Sequence, residues 1–408
     1  MRRLGIIGVA IMLVAVGCGS SKSSNSTTAT TAASATTAGG ARTYTVSLDG
    51  KTDAFNGEFA SFYPTALSAR PGDTVKFDLP RFSGAPHTVT FGTLVDKAVA
   101  KVEQLGPTAL PGDQENSPEL LNLPDLFPHK AAPGQPDANQ SAGQPCFMDT
   151  GVPPLSLTGS APACPKAAQP DFNGTQAFYN LGLLAKDGDS VSMKLSPSIK
   201  PGTYSFICLI HRGGMTAKLT VAAPGATVPS PTEVTNAGTQ QLNKDIAGAT
   251  PAAKAAQQLT PDKAAMGSFA PTAPAVVVAE FGPKSLSIPV GGSVTWNAFA
   301  FHTLALGATD ADATVVAKAP DGSVHLAKGG APAGFTVPPN LYDFPQPNTG
   351  KPTLVDLGNY DGTGYHNTGI IGSVPPVFVS FKVTFTKAGT YTVRCLVHPD
   401  MKADVKVG

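Results

Sequence analysis

Apolar and polar residues alternate with a period of two in short runs along most of the chain. In the first half the runs are Val75-Lys-Phe77-Asp-Leu79, Val191-Ser-Met193-Lys-Leu195, Tyr204-Ser-Phe206-Ile-Cys208 and Lys218-Leu-Thr-Val221. In the second half they are Val377-Phe-Val379-Ser-Phe381-Lys-Val383-Thr-Phe385 and Tyr391-Thr-Val393-Arg-Cys395. A period of two is that of a strand with one buried face. Gly and Pro, the residues of tight turns, bound the runs. The pattern predicts an all-β chain of antiparallel sandwiches with Greek-key connections.

The runs come in two matching sets. Phe62-Tyr-Pro-Thr-Ala-Leu67-Ser-Ala-Arg-Pro-Gly72-Asp-Thr-Val75-Lys-Phe77 aligns without gaps on Phe281-Gly-Pro-Lys-Ser-Leu286-Ser-Ile-Pro-Val-Gly291-Gly-Ser-Val294-Thr-Trp296. Further on, Asn180-Leu-Gly matches Asn367-Thr-Gly, and Gly202-Thr-Tyr204 matches Gly389-Thr-Tyr391. Two copies make a domain duplication, and 408 residues suffice for two independent cores. Trp296, the only Trp, replaces Phe77 and reads as a core residue.

The chemistry is duplicated with the strands. Cys208-Leu-Ile-His211-Arg-Gly-Gly-Met215 ends the first set and Cys395-Leu-Val-His398-Pro-Asp-Met401 ends the second. Upstream, His87 opens the run His-Thr-Val-Thr-Phe and His302 opens His-Thr-Leu-Ala-Leu. One thiolate, two imidazoles and one thioether form the ligand set of a blue-copper site, with the Met as weak axial ligand. Such a set suits both Cu(I) and Cu(II), which a one-electron carrier needs. The expected ligands are therefore His87, Cys208, His211 and Met215, and His302, Cys395, His398 and Met401.

These motifs resemble the cupredoxin family, in particular its plastocyanin- and amicyanin-like members. The resemblance covers both repeats but not the N-terminal tail, the central linker or the long inserts. It implies two cupredoxin-like Greek-key β-sandwich domains, each with a type 1 copper. The spacing Cys-x2-His-x2-Met of the second loop is amicyanin-like, and the first loop is one residue longer. Where many members have Asn after the upstream His, this chain has Thr88 and Thr303, whose hydroxyls can supply part of the same hydrogen bonding around the ligand loop.

Outside the repeats, Met1-Arg-Arg and the apolar run Leu4 to Val16 are too short to span a bilayer and read as an export signal. The run ends in Ala15-Val-Gly-Cys18, which resembles a bacterial lipobox with Cys18 lipidated. The expected order is a lipoprotein signal at 1–18, a disordered Ser/Thr/Ala/Gly tether at 19–42, domain one at 43–223, a helical linker at 224–272 and domain two at 273–408. Ser230-Pro-Thr-Glu233 is a capping box with Pro at the first helical position. Long inserts, about 93–172 and 308–359, follow the upstream histidines; they read either as cover or partner surface for the sites or as decoration. An exported compartment permits Cys146 and Cys164 to pair.

Together these features predict an exported, lipid-anchored electron carrier with two coppers, and redox proteins as donor and acceptor. Charged residues are only 14% of the chain and nearly balanced, which suggests no nucleic-acid partner. One alternative is a copper oxidase or nitrite-reductase-like enzyme. Those enzymes wire a second copper through a His beside the Cys, and often use His-x-His pairs. Here Cys208 lies between Ile207 and Leu209, Cys395 lies between Arg394 and Leu396, and no His-x-His occurs. His129, His325 and His366 remain for such a site. The other alternative, copper buffering or delivery, favours Met clusters, and this chain has seven scattered Met. The imidazole edges of His211 and His398 are the expected ports for electrons.

Overall fold

In the computed structural model the described residues are 40–106, 118–126, 138–153, 164, 168–312, 316–326, 353–369, 371–373 and 379–408. Cys18, most of the tether and His129 lie outside them. No helix among the described residues is long and apolar enough to cross a membrane.

Two sandwiches form, each from two sheets. In the first, one sheet runs Phe62–Tyr63, Thr43–Leu48, Thr74–Asp78, Ser190–Lys194. Its other sheet runs Ala66–Ala69, Thr216–Val221, Gly202–Ile207, His87–Phe91, Phe178–Leu184, Pro145–Met148. In the second sandwich, Gly57–Phe59, Val276–Gly282, Ala264–Phe269, Ser293–Ala298, Val379–Phe385 and Thr353–Tyr360 make one sheet. The facing sheet orders Ser285–Ile288, Lys402–Val407, Gly389–Arg394, Ala305–Leu306, His366–Asn367. Most pairs are antiparallel, but parallel pairs recur at equivalent places. Thr43–Leu48 lies parallel to Thr74–Asp78 as Ala264–Met266 does to Trp296–Ala298. Ala66–Ala69 lies parallel to Lys218–Val221 as Ser285–Ile288 does to Asp404–Val407. The sheets are thus mixed rather than purely antiparallel, because each chain crosses between its two sheets.

The alternation works as read. Val75, Phe77 and Leu79 are fully buried, and so are Val294, Trp296, Phe381, Val383 and Phe385. Phe62, Phe77 and Phe91 each pack a ring against Phe206, with centroids 4.7 to 5.5 Å apart, in the range where aromatic pairs attract. The repeat extends to single hydrogen bonds. Tyr204 Oη donates to the Lys200 carbonyl and Tyr391 Oη to that of Lys387, both at 2.8 Å. The Asn180 and Asn367 side chains accept the amides of Gly182 and Gly369, two residues on.

The linker is one helix, Pro231–Ala256, of 26 residues. Its capping box is made: Ser230 Oγ accepts the Glu233 amide at 3.2 Å and the Glu233 carboxylate accepts the Ser230 amide at 2.7 Å. Small residues bring the helix close to the strands. A Cβ on Gly238 would stand 2.7 Å from the Tyr63 carbonyl carbon. The segment 224–272 is not all linker, since Ala264–Phe269 is a strand of the second sandwich. The short strand Gly57–Phe59, early in the chain, also joins the second sandwich by pairing with Val276–Val278.

The inserts carry more structure than their Pro and Gly content suggests. Thr93–Gln104 is a helix that buries Val95, Ala98, Val99 and Val102, the i, i+3, i+4, i+7 positions of one face. Cys146 and Cys164 are disulfide-bonded, with Cα atoms 5.4 Å apart. From the second insert a hairpin, Val316–Lys318 with Val324–Leu326, docks on the first. There the Gln140 amide donates to the Val324 carbonyl at 2.6 Å and accepts the Val324 amide at 3.0 Å. The shared apolar cluster reaches Ile207 and Leu209, which flank Cys208. In their described parts the inserts back the first ligand loop.

Candidate metal centres

Each centre is built where a strand ends. The strand Gly202–Ile207 delivers Cys208 and Gly389–Arg394 delivers Cys395. The following turn folds back so that the Cys208 amide donates to the Met215 carbonyl at 3.1 Å and the Cys395 amide to that of Met401 at 3.0 Å. Three candidate ligands thus sit on one closed loop, and the upstream His arrives from another strand: His87 opens His87–Phe91 and His302 closes Ala300–His302. The extra residue of the first loop is taken up in a 3-10 turn, Arg212–Gly214, with Arg212 at φ 45°. Arg212 is buried. Its guanidinium donates to the Leu120 carbonyl and lies 3.3 Å from the Asp125 carboxylate, tying the first insert to the loop.

The donor atoms converge. In each group of His87, Cys208, His211 and His302, Cys395, His398, one N or S atom per residue lies within 4.8 Å of the others. Cys208 Sγ is 3.4 Å from His211 Nδ1, and Cys395 Sγ is 3.5 Å from His398 Nδ1. His302 Nδ1 and His398 Nδ1 face each other at 3.0 Å. Met215 and Met401 are each 1% exposed, in the core clusters that hold Cys208 and Cys395. Burial alone pushes both thiols up, but the facing imidazoles outweigh it and hold each well below the ordinary thiol range. The thiolate is the form that binds metal.

Surrounding groups fix the ligands. Thr88 Oγ1 accepts the Leu209 amide at 2.7 Å while its own amide points at Cys208 Sγ at 3.4 Å. Thr303 repeats this on Leu396 at 2.6 Å and Cys395 at 3.3 Å. The hydroxyls therefore tie the upstream His segment to the ligand loop in both sandwiches. His87 Nε2 faces the fully buried Asp49 carboxylate at 3.5 Å, and its Nδ1 is buried without a partner. That is the carboxylate–histidine pairing that leaves the other ring nitrogen free for a metal. Burial lowers His87, and Asp49 together with the Cys208 sulfur more than offsets this. Burial dominates at His302 and holds it below its ordinary value. His302 Nε2 instead packs on Gly267, where a Cβ would stand 2.2 Å away. The donor set fits a soft cation in each site, and in the first the orphaned Nδ1 of His87 adds to this; copper is the metal such a set favours.

The imidazole edges are not both the open ports expected. His398 is fully buried and the His211 side chain is 15% exposed. Both Nε2 atoms point at one residue, Glu58 of the strand Gly57–Phe59: Oε1 is 2.7 Å from His211 and Oε2 is 3.2 Å from His398. The two ligand loops face each other across this strand. Gly84 permits the approach, since a Cβ there would meet the Val397 carbonyl oxygen at 2.3 Å. Sequence reasoning missed Asp49, Glu58 and Gly267. The one signal for Glu58 was an isolated acid between Phe55, Phe59 and Phe62.

The remaining histidines lie elsewhere. His325 Nε2 is 2.8 Å from Ser323 Oγ on the insert hairpin. His366 is half-buried edge-on to Tyr360, with centroids 5.1 Å apart. Neither joins the two convergent groups.

No family model matches this chain, and no curated protein matches it. Solved structures do. Auracyanin from Roseiflexus castenholzii is 18% identical with a TM-score of 0.22, over 45% of this chain and all of its own. A Cu-containing nitrite reductase from Thermus scotoductus is 13% identical with a TM-score of 0.23, over 90% of this chain and 99% of its own. A blue copper oxidase from Nitrosomonas europaea is 10% identical with a TM-score of 0.20, over 90% and 86%. The topology and the paired loops make this chain a two-sandwich, cupredoxin-like fold.

Proposed function

We propose that this protein is an extracytoplasmic electron carrier. One type 1 copper is held by His87, Cys208, His211 and Met215, and a second by His302, Cys395, His398 and Met401. Redox proteins serve as donor and acceptor, and Cys18 anchors the chain to the membrane by lipid. The observation that carries this reading is the duplicated, buried Cys/His/His cluster with a Met closing each loop. Copper supplies the one-electron change. The chain's residues hold the thiolate ionised, keep Nδ1 of the imidazoles toward the metal and exclude water. The enzymatic reading has less support. His325 and His366 are engaged outside the two clusters, and neither Cys has a neighbouring His to wire a further copper.

The test is copper quantitation with optical and EPR spectra of the full chain. Two coppers and an intense blue band are expected, with Cys208→Ser and Cys395→Ser each removing one centre. Full copper loading without colour would defeat the type 1 assignment. Sustained turnover of oxygen or nitrite that depends on His129, His325 or His366 would replace the carrier reading with the enzymatic one.

A further inference from the structure

The two centres share a residue that belongs to neither ligand loop. Glu58 is 6% exposed, and each of its carboxylate oxygens meets one Nε2: His211 at 2.7 Å and His398 at 3.2 Å. The opposite ring nitrogens, Nδ1, face Cys208 and Cys395. An ionised carboxylate has only acceptors, so it takes an N–H from both rings at once. That sets both imidazoles in the tautomer whose Nδ1 is free for metal. Backbone pairing holds Glu58 in place, since its strand is bonded to Val276–Val278 of the second sandwich while the Phe59 amide donates to Asp49 at 2.9 Å. Asp49 in turn faces His87 of the first centre.

We propose that Glu58 is a bridging positioning residue that couples the two copper centres, and that His211, Glu58 and His398 form the path by which one centre passes an electron to the other. The inference rests on the copper reading above. The step is a one-electron exchange: the reduced centre goes from Cu(I) to Cu(II) as the oxidised one goes from Cu(II) to Cu(I). The first electron comes from a small reductant such as dithionite or from a redox protein. No bond breaks and no proton leaves, because both N–H groups stay hydrogen-bonded to the carboxylate throughout.

Glu58→Gln tests this in the full copper-loaded chain. Gln keeps the volume but offers one oxygen and one NH2, so one of the two N–H groups faces a donor. Loss of such an outer partner typically weakens metal about 10–100-fold. The coupling requires weaker copper binding at the centre whose N–H meets the NH2, shifted potentials at both centres because both lose the carboxylate charge, and slower exchange after half-reduction by a dithionite pulse. Asp49→Asn is the contrast, expected to move the first centre more than the second. Glu58→Asp, which keeps the carboxylate, should restore part of the exchange rate. A Glu58→Gln protein that leaves both potentials unchanged, or exchanges electrons at the wild-type rate, would overturn the bridge. A metal-free readout separates this from failure of the copper reading. In imidazole nitrogen NMR, Glu58→Gln should move the Nε2–H signals of both His211 and His398, and an unmoved pair rejects the bridge whatever metal the chain takes.

Discussion

Thr88 and Thr303 each serve two functions at the residue scale. Each hydroxyl receives a buried loop amide, Leu209 at 2.7 Å and Leu396 at 2.6 Å, and lies about 4 Å from the thiolate, at 4.0 and 3.9 Å. Valine has the same shape without the acceptor. Thr88→Val leaves the Leu209 amide buried and unpaired, which costs about 1–3 kcal/mol. Thermal or urea unfolding of the metal-free protein should show that loss, and Thr303→Val should show the same at Leu396. Copper-loaded variants should also change potential, each at its own centre alone. Wild-type stability in both would mean that water replaces the hydroxyl and that the loop does not depend on it.

Among the elements, the strand Ala264–Phe269 illustrates how a backbone position controls a ligand. Gly267 sits at φ 82°, a region that side chains disfavour, and a Cβ there would meet His302 Nε2 at 2.2 Å. Gly267→Ala must move either the strand or the imidazole. The expected protein binds one copper, with an EPR signal from the first centre and none from the second; two intact signals would show that the strand yields instead. This contact also marks what the sequence could reveal. The ligand loops, the repeated Gly-Thr-Tyr entries, the capping box and the core Trp296 were legible because each is local or comes from a repeated period. Gly267, Asp49 and Glu58 reach the sites through pairings between distant segments, and a gapless repeat says nothing about a segment lying outside it. The insert helix Thr93–Gln104 was hidden differently. Its Val95, Ala98, Val99, Val102 stripe lies beside a Pro- and Gly-rich stretch whose composition masked a helical period.

At the scale of the whole molecule, the two sandwiches turn their His-bearing loops toward each other, so partner access has to come from another side. A pocket of about 190 Å³ opens beside Cys395 and Leu396. Its rim carries Asp310, Asp400, Arg394 and Lys402, two acids and two bases. Arg394 and Lys402 both pair with Asp310, and Asp400 pairs with Arg81 at 2.7 Å. The chain as a whole has a formal net charge of +1. Electrostatic steering needs a sustained field of one sign, and salt screens such a field over about 10 Å at 0.1 M. The pocket rim, with its two acids and two bases, supplies none. If a redox protein delivers its electron here, the second-order rate measured by stopped flow should change less than about tenfold between low and physiological ionic strength, far from the steep fall of steered pairs. Arg394→Glu, which removes the Asp310 pair and leaves the rim acidic, should make the rate salt-dependent, in a direction set by the partner's charge. A steep salt dependence in the unaltered protein, unchanged by Arg394→Glu, would put the docking face away from this pocket.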